Sequence, residues 1–254
     1  MHKRLSVIVP CRNEEVLLPQ TLDSILNSIA IYSPAFATDI CLSASDVEVI
    51  VVDNASSDGS SAIIDLYQHW YDVRTVLCPV VGIAAARNAG AAAANGHVLL
   101  FIDADTLVPG NTIQRVLAHV VDHHKKAGMC AIRSREKSLR ATVWWHFWNT
   151  VRALPLPRAK AMGACMFCTK DTFNRYGPFP ETVALTEEWA ILANVFRYEK
   201  NHFVYDRRLH VQTSARRMAL QHFGYVRTFI KYCFAVLSPL GRVSYVDTLR
   251  HLRN

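Results

Sequence analysis

From Leu5 to Cys11 the chain is apolar at almost every position, LSVIVPC, and Pro10 ends the run. A continuous apolar run of that length predicts a strand buried on both faces. RNEEVLLPQTLDSILNSI follows with a different period: Val16, Leu17, Leu22, Ile25, Leu26 and Ile29 fall on one side of a helix. VEVIVVD (47–53) predicts a second strand, ending in a polar loop that contains Gly59. Residues 60–71 read as a helix with Ser60 or Ser61 at its cap. VRTVLCP (73–79) is a third strand. GIAAARNAGAAAANG (82–96) is a helix of small residues closed by Gly96. VLLFIDAD (98–105) is a fourth strand, and a helix over 111–126 takes Asn111 as its cap.

Strands that alternate with helices predict an α/β fold: a largely parallel sheet covered by helices on both faces. Ligands of such sheets bind beyond the carboxyl ends of the strands. The residues to watch therefore follow each apolar run: Arg12, Asn13 and Glu14; Asp53 and Asn54; Asp103 and Asp105. All three sets are expected on one edge. The second half is less regular. ACMFCTKDTFNRYGPF (164–179) reads as strand, short helix and turn, ETVALTEEWAILANVFRYEK (181–200) as a helix entered from a loop, and 203–217 as containing a further strand. Beyond it, Val226, Ile230, Cys233, Phe234 and Leu237 recur at helical spacing, with Arg227 and Lys231 on another face. The organisation expected is one α/β domain over 1–215 and a basic amphipathic helical tail over 216–254.

Composition narrows this picture. A chain of 254 residues that is 51% hydrophobic can bury a sizeable core, which excludes global disorder. No segment has the pattern of a secretory signal or the roughly 18 apolar residues of a spanning helix, so a cytoplasmic location is expected. Seven cysteines, an odd number, fit a reducing compartment. Cys165 and Cys168 form a CxxC, but no second ligand pair accompanies them, so they read as small buried residues. The net charge is +7, with the basic excess concentrated towards the C-terminus. That points to an anionic partner: a nucleoside diphosphate, a nucleic acid or the inner face of a membrane. Trp144, Trp145, Phe147 and Trp148 read first as core and second as a surface for sugars or lipid.

The abrupt end of HVLLFIDADTLVPG (97–110) carries the strongest chemistry. Asp103 and Asp105, one small residue apart, offer the hard oxygen ligands that Mg²⁺ or Mn²⁺ takes alongside phosphate. From this piece alone, a loop with a helix-capping Asp is the commoner reading, since a lone DxD often occurs by chance. Four stretches, VIVPCRNEE, VIVVDNASSDGS, GIAAARNAG and VLLFIDADTLVPG, occur in this order, followed by GACMFCTKDTFNRYGPFPE and LTEEW. Together they resemble the family 2 glycosyltransferases, whose fold is GT-A.

The resemblance implies a metal-dependent, inverting transfer of sugar from a nucleoside diphosphate, UDP more than GDP, to an acceptor hydroxyl. It places Pro10, Arg12 and Glu14 in a nucleotide-contacting loop. It makes Asp53 the acceptor for donors on the base, since a carboxylate only accepts. Arg87 is placed facing the nucleotide, Asp103 at the ribose or metal, and Asp105 at the metal. The family's base is the second member of a Glu-Asp pair. Here the pair is Glu187-Glu188, so Glu188 takes that role one methylene longer, with Glu187 beside it. His210 is a third candidate metal ligand, and Arg216 and Arg217 are candidates for the diphosphate. Three other readings stay open: a polyprenyl-phosphate acceptor, a non-catalytic sugar-nucleotide binder, and a nucleic-acid binder, which lacks any supporting motif. A dinucleotide oxidoreductase is disfavoured, because PCRNEE and not GxGxxG follows the first strand.

Overall fold

The computed structural model describes residues 4–31, 46–160, 163–182, 186–216 and 224–237. In chain order the elements are β1 (Leu5–Cys11), α1 (Leu18–Ile31), β2 (Val47–Asp53), α2 (Ser60–Trp70), β3 (Val73–Leu77), α3 (Ile83–Ala93), β4 (Val98–Ile102) and β5 (Thr106–Leu107). They continue as α4 (Thr112–Val121), β6 (Ala127–Ser134), α5 (Leu139–Ala153), β7 (Cys165–Thr169), α6 (Lys170–Tyr176), α7 (Leu192–Tyr198), β8 (Phe203–Thr213) and α8 (Gly224–Leu237). A 3₁₀ turn at Glu187–Ala190 precedes α7.

The eight strands form one sheet in the order β3-β2-β1-β4-β7-β6-β8-β5. β1 to β4 pair in parallel, as do β6 and β8, while β7 runs antiparallel to both its neighbours. The carboxyl ends of β1, β2, β4, β6 and β8 therefore share one edge with the amino end of β7. The continuous apolar runs are explained by two cores, one on each face of the sheet. Leu5, Val7 and Val9 face a core with α1, α2, α4, α5 and α8, while Ile8 faces a core with α3, α6 and α7. The small residues of α3 bring it close to the sheet: a Cβ on Gly90 would run into Ile8 and Val52.

Several local expectations give way to longer-range bonds. Ser60 and Ser61 do not cap α2; Ser60 Oγ accepts from the Glu14 N–H at 2.8 Å, tying two loops together. Asn111 stands at the start of α4 without a side-chain cap bond. α3 ends at Ala93, and the Gly96 N–H donates to Ser6 Oγ on β1. Cys165 and Cys168 are buried on β7, with Cys165 Sγ 3.4 Å from Cys130 Sγ. Burial raises both thiols above their ordinary range, Cys165 most of all through its contact with Cys130. Trp144, Trp145 and Trp148 are buried, and Phe147 is exposed. α8 packs on them through Tyr225, Phe229 and Tyr232. Arg217 and the rest of the expected tail, residues 217–223 and 238–254, lie outside the described residues.

Candidate active site

All three polar sets reach the same edge. In the register of β1 with β2, Cys11 stands beside Asp53, and the Asn54 N–H donates to the Cys11 carbonyl at 2.8 Å. Pro10 is part of β1 itself. Arg12 is exposed, with its guanidinium 3.4 Å from the Asn54 carbonyl. Asn13, in the left-handed region at φ 54, accepts from the Ser57 N–H. Asn54 ties its own loop to the one between β3 and α3 by three bonds: its amide donates to the Cys78 and Val80 carbonyls, and its oxygen accepts from Gly82 N–H at the start of α3.

Asp53 is buried and fixed by the Ser56 N–H at 3.0 Å and the Ser61 hydroxyl at 2.6 Å. Burial alone would raise its carboxyl, but these two donors outweigh it and hold Asp53 below the usual range. Asp58 holds the turn, accepting from the Ser60 and Glu15 N–H groups. Glu14 is buried and ion-paired with Arg216, which closes the β1 loop onto the segment after β8.

The second half of the site forms around one guanidinium. Arg87 projects from α3, is only 3% exposed, and donates to Glu187 Oε1 at 2.6 Å and Asp103 Oδ1 at 2.9 Å. A third contact, 3.3 Å to the Gly163 carbonyl, fills the cluster. Arg87, which the family resemblance places facing the nucleotide, bridges two carboxylates from distant segments. Glu188 is also buried and accepts from the Gly163 N–H at 3.0 Å. Gly163 thus uses both its backbone groups here, delivered by the antiparallel entry of β7; the Asp103 N–H in turn donates to the Ala164 carbonyl. The sequence carried no signal for Gly163 beyond a glycine before an apolar run.

Three carboxylates around one cation leave negative charge in excess. Burial and the adjacent Glu188 push Glu187 above the ordinary carboxylate range, against the pull of Arg87. Thr186, just before the pair, is a β-branched residue at φ 71, a sparsely populated conformation that aims the turn.

Asp103 is partly exposed, its side chain at 32%. Asp105 is half-buried, and its Oδ1 accepts from Thr213 on β8 at 3.1 Å. His210 is not brought to this pair. It lies three residues before Thr213 on β8 and so points to the opposite face of the strand, with Nδ1 3.3 Å from the Arg208 carbonyl. Among the described residues, no three His, Cys, Asp or Glu side chains cluster as a metal site would. Asp103 and Asp105 suit a hard divalent ion whose other ligands come from phosphate and water.

The sequence model described as glycosyl transferase family 2 matches residues 6–181. The chain belongs to that family. It is 29% identical over 115 residues to a poly(ribitol-phosphate) beta-glucosyltransferase of Bacillus spizizenii, a match covering 44% of this chain and 16% of that protein. It is 29% identical over 116 residues to a validoxylamine A glucosyltransferase of Streptomyces hygroscopicus, covering 45% of this chain and 23% of the relative. The chain thus matches less than a quarter of either relative's length. Among solved structures, the mannosyltransferase PcManGT of Pyrobaculum calidifontis, in complex with GDP-Man and Mn²⁺, superimposes with a TM-score of 0.63 at 22% identity, covering 93% of this chain and 62% of that one. S. aureus TarS 1–349 with UDP-GlcNAc gives 0.60 at 18% identity, covering 90% and 65%. The fold is GT-A, as the family resemblance implied. No described helix is long and apolar enough to cross a membrane.

Proposed function

We propose that this family 2 chain transfers a sugar from a nucleoside-diphosphate sugar, a UDP-sugar before a GDP-sugar, to an acceptor hydroxyl. One observation carries the reading: a buried Arg87 gathers Asp103, from the strand-end pair, and Glu187, from the pair opposite, into one cluster at the carboxyl edge of the sheet. The two halves that a group transfer needs are thereby held side by side.

Asp53 is the acceptor for N–H donors on the base, since its oxygens are oriented by Ser56 and Ser61 and it stays ionised. Arg12 is the exposed cation of the neighbouring loop. Asp103 and Asp105 would hold Mg²⁺ or Mn²⁺ together with the diphosphate, and such an ion would supply stabilisation of the negative charge on the leaving group. Glu188 takes the proton from the acceptor hydroxyl as it attacks the anomeric carbon. Glu187, raised by burial and then by the neighbouring Glu188, stands beside that base. Arg87 positions both carboxylate-bearing segments. A single displacement inverts the anomeric centre and requires no enzyme nucleophile.

Calorimetric titration with UDP and with GDP, with and without Mn²⁺, tests the donor half. The expected result is Mn²⁺-dependent binding of one nucleotide, weakened at least about tenfold in Asp105→Ala. Binding of neither nucleotide would sink the reading.

A further inference from the structure

α5 is apolar on two sides. Its inner stripe, Ala141, Trp144, Trp145 and Trp148, is buried. A second stripe, Leu139, Val143 and Phe147, recurs every four residues and faces solvent, with Leu139 80% and Val143 60% exposed. α8 continues it. The Phe229 ring lies 5.5 Å from Phe147, and the outward residues Val226 and Ile230 are 54% and 60% exposed. A helix that is apolar on both sides is ordinarily covered on both, and a joined exposed patch of this kind marks an interaction surface.

Charge selects the partner. Neither helix contains a single Asp or Glu, whereas Arg140 stands on α5 and Arg227 and Lys231 on α8. A polymeric anion would meet the cations but has no use for a continuous aliphatic stripe. Aliphatic and aromatic side chains fringed by cations, with carboxylates excluded, match the interface of an anionic bilayer. The location also has a consequence. Tyr232, on the inward side of α8, has its ring 5.4 Å from that of Trp148 in a tilted arrangement, and it packs against the same core as Trp189, the residue after Glu188.

We propose that the joint outer face of α5 and α8 docks on an anionic lipid surface, beside the Glu187-Glu188 pair. On the transferase reading, on which this consequence rests, the acceptor side of the site then stands at headgroup level and takes a hydroxyl borne by a lipid or presented at its surface.

Vesicle flotation tests the docking. Wild type, Val143→Glu/Ile230→Glu and Arg227→Glu/Lys231→Glu are each mixed with phosphatidylglycerol–phosphatidylcholine vesicles, with pure phosphatidylcholine vesicles, and with soluble polyphosphate. Wild type is expected to float with the anionic vesicles and not the neutral ones, less so as salt rises. Each double variant should bind about tenfold or more weakly. Equal flotation of wild type and both variants, or none by wild type, overturns the proposal. Binding to polyphosphate without flotation assigns the face to an anionic polymer and overturns it too. Circular dichroism and nucleotide titration of the same preparations keep the two readings apart. Nucleotide binding without flotation removes only the docking surface; flotation without nucleotide binding removes only the transferase reading.

Discussion

The two carboxylate sets of this site are built in opposite ways. Asp53 is held by its own loop, through donors three and eight residues away, Ser56 and Ser61. Glu187 is held by Arg87, one hundred residues distant, and Arg87 also holds Asp103. The first arrangement keeps a carboxylate ionised with small neutral groups. The second buries several charges and balances them on one cation, which makes them strongly interdependent. The lesson is that the Asp53 loop is locally pre-organised, whereas the cluster around Arg87 exists only once the sheet has closed.

Breaking the shared cation should therefore have the largest effect. Arg87→Met leaves buried carboxylates without their partner, and we expect a loss of about 3–5 kcal/mol of folding stability, read from urea midpoints. A loss below that of an ordinary surface substitution would show that the cluster does not depend on Arg87. Glu188→Gln sharpens the contrast from the other side. Transfer should fall by about 10²–10⁴-fold in single-turnover assays, with nucleotide binding and thermal midpoint almost unchanged. Retained activity in this variant would move the base elsewhere.

Gly90→Val tests the platform under both halves. A side chain there meets Ile8 and Val52, and overpacking of this kind costs about 1–3 kcal/mol, measured by thermal denaturation. Asp53→Asn should be milder, about 1 kcal/mol in stability, because one neutral donor pair is disturbed and no charge is stranded. Its principal readout is weaker nucleotide binding by titration calorimetry.

The pH dependence should separate the two halves by sign. Glu187 is raised in the folded chain, so its contribution is complete below the ordinary carboxylate range and is lost as pH rises through the folded value. Asp53 is lowered, so its contribution is complete above the ordinary range and is lost as pH falls through the folded value. Urea midpoints across roughly pH 3 to 9 should show Glu187→Gln flattening the alkaline limb and Asp53→Asn the acid limb. The same limb affected in both variants would mean that the carboxylates are coupled after all.

Much of this was legible before any coordinates. β1, β2 and β4 announced themselves as unbroken apolar runs, because strands buried on both faces admit little else. Their polar ends followed from the parallel topology. β5 was invisible, since two residues carry no period. The structure gives Ser60, Ser61 and Asn111 no capping bond: Ser60 accepts from Glu14 across loops, and Ser61 donates to Asp53 at the end of the preceding strand. His210 was grouped with the aspartates by residue type, and the alternation of β8 turned it to the other face.

By itself, the sequence determined the parallel strands β1 to β4, the burial of β1, β2 and β4 on both faces and the edge where Arg12, Asp53, Asp103 and Asp105 emerge, because period and composition are local properties that burial converts directly into strands and helices. The tertiary structure alone decided what Arg87 does, that Gly163 serves both Arg87 and Glu188, and which aromatic residues of α5 meet α8. Those pairings depend on the entry of the antiparallel β7 and on distances between segments up to one hundred residues apart. No pattern along the chain encodes such a distance; only closing the sheet brings the charges close enough to shift one another.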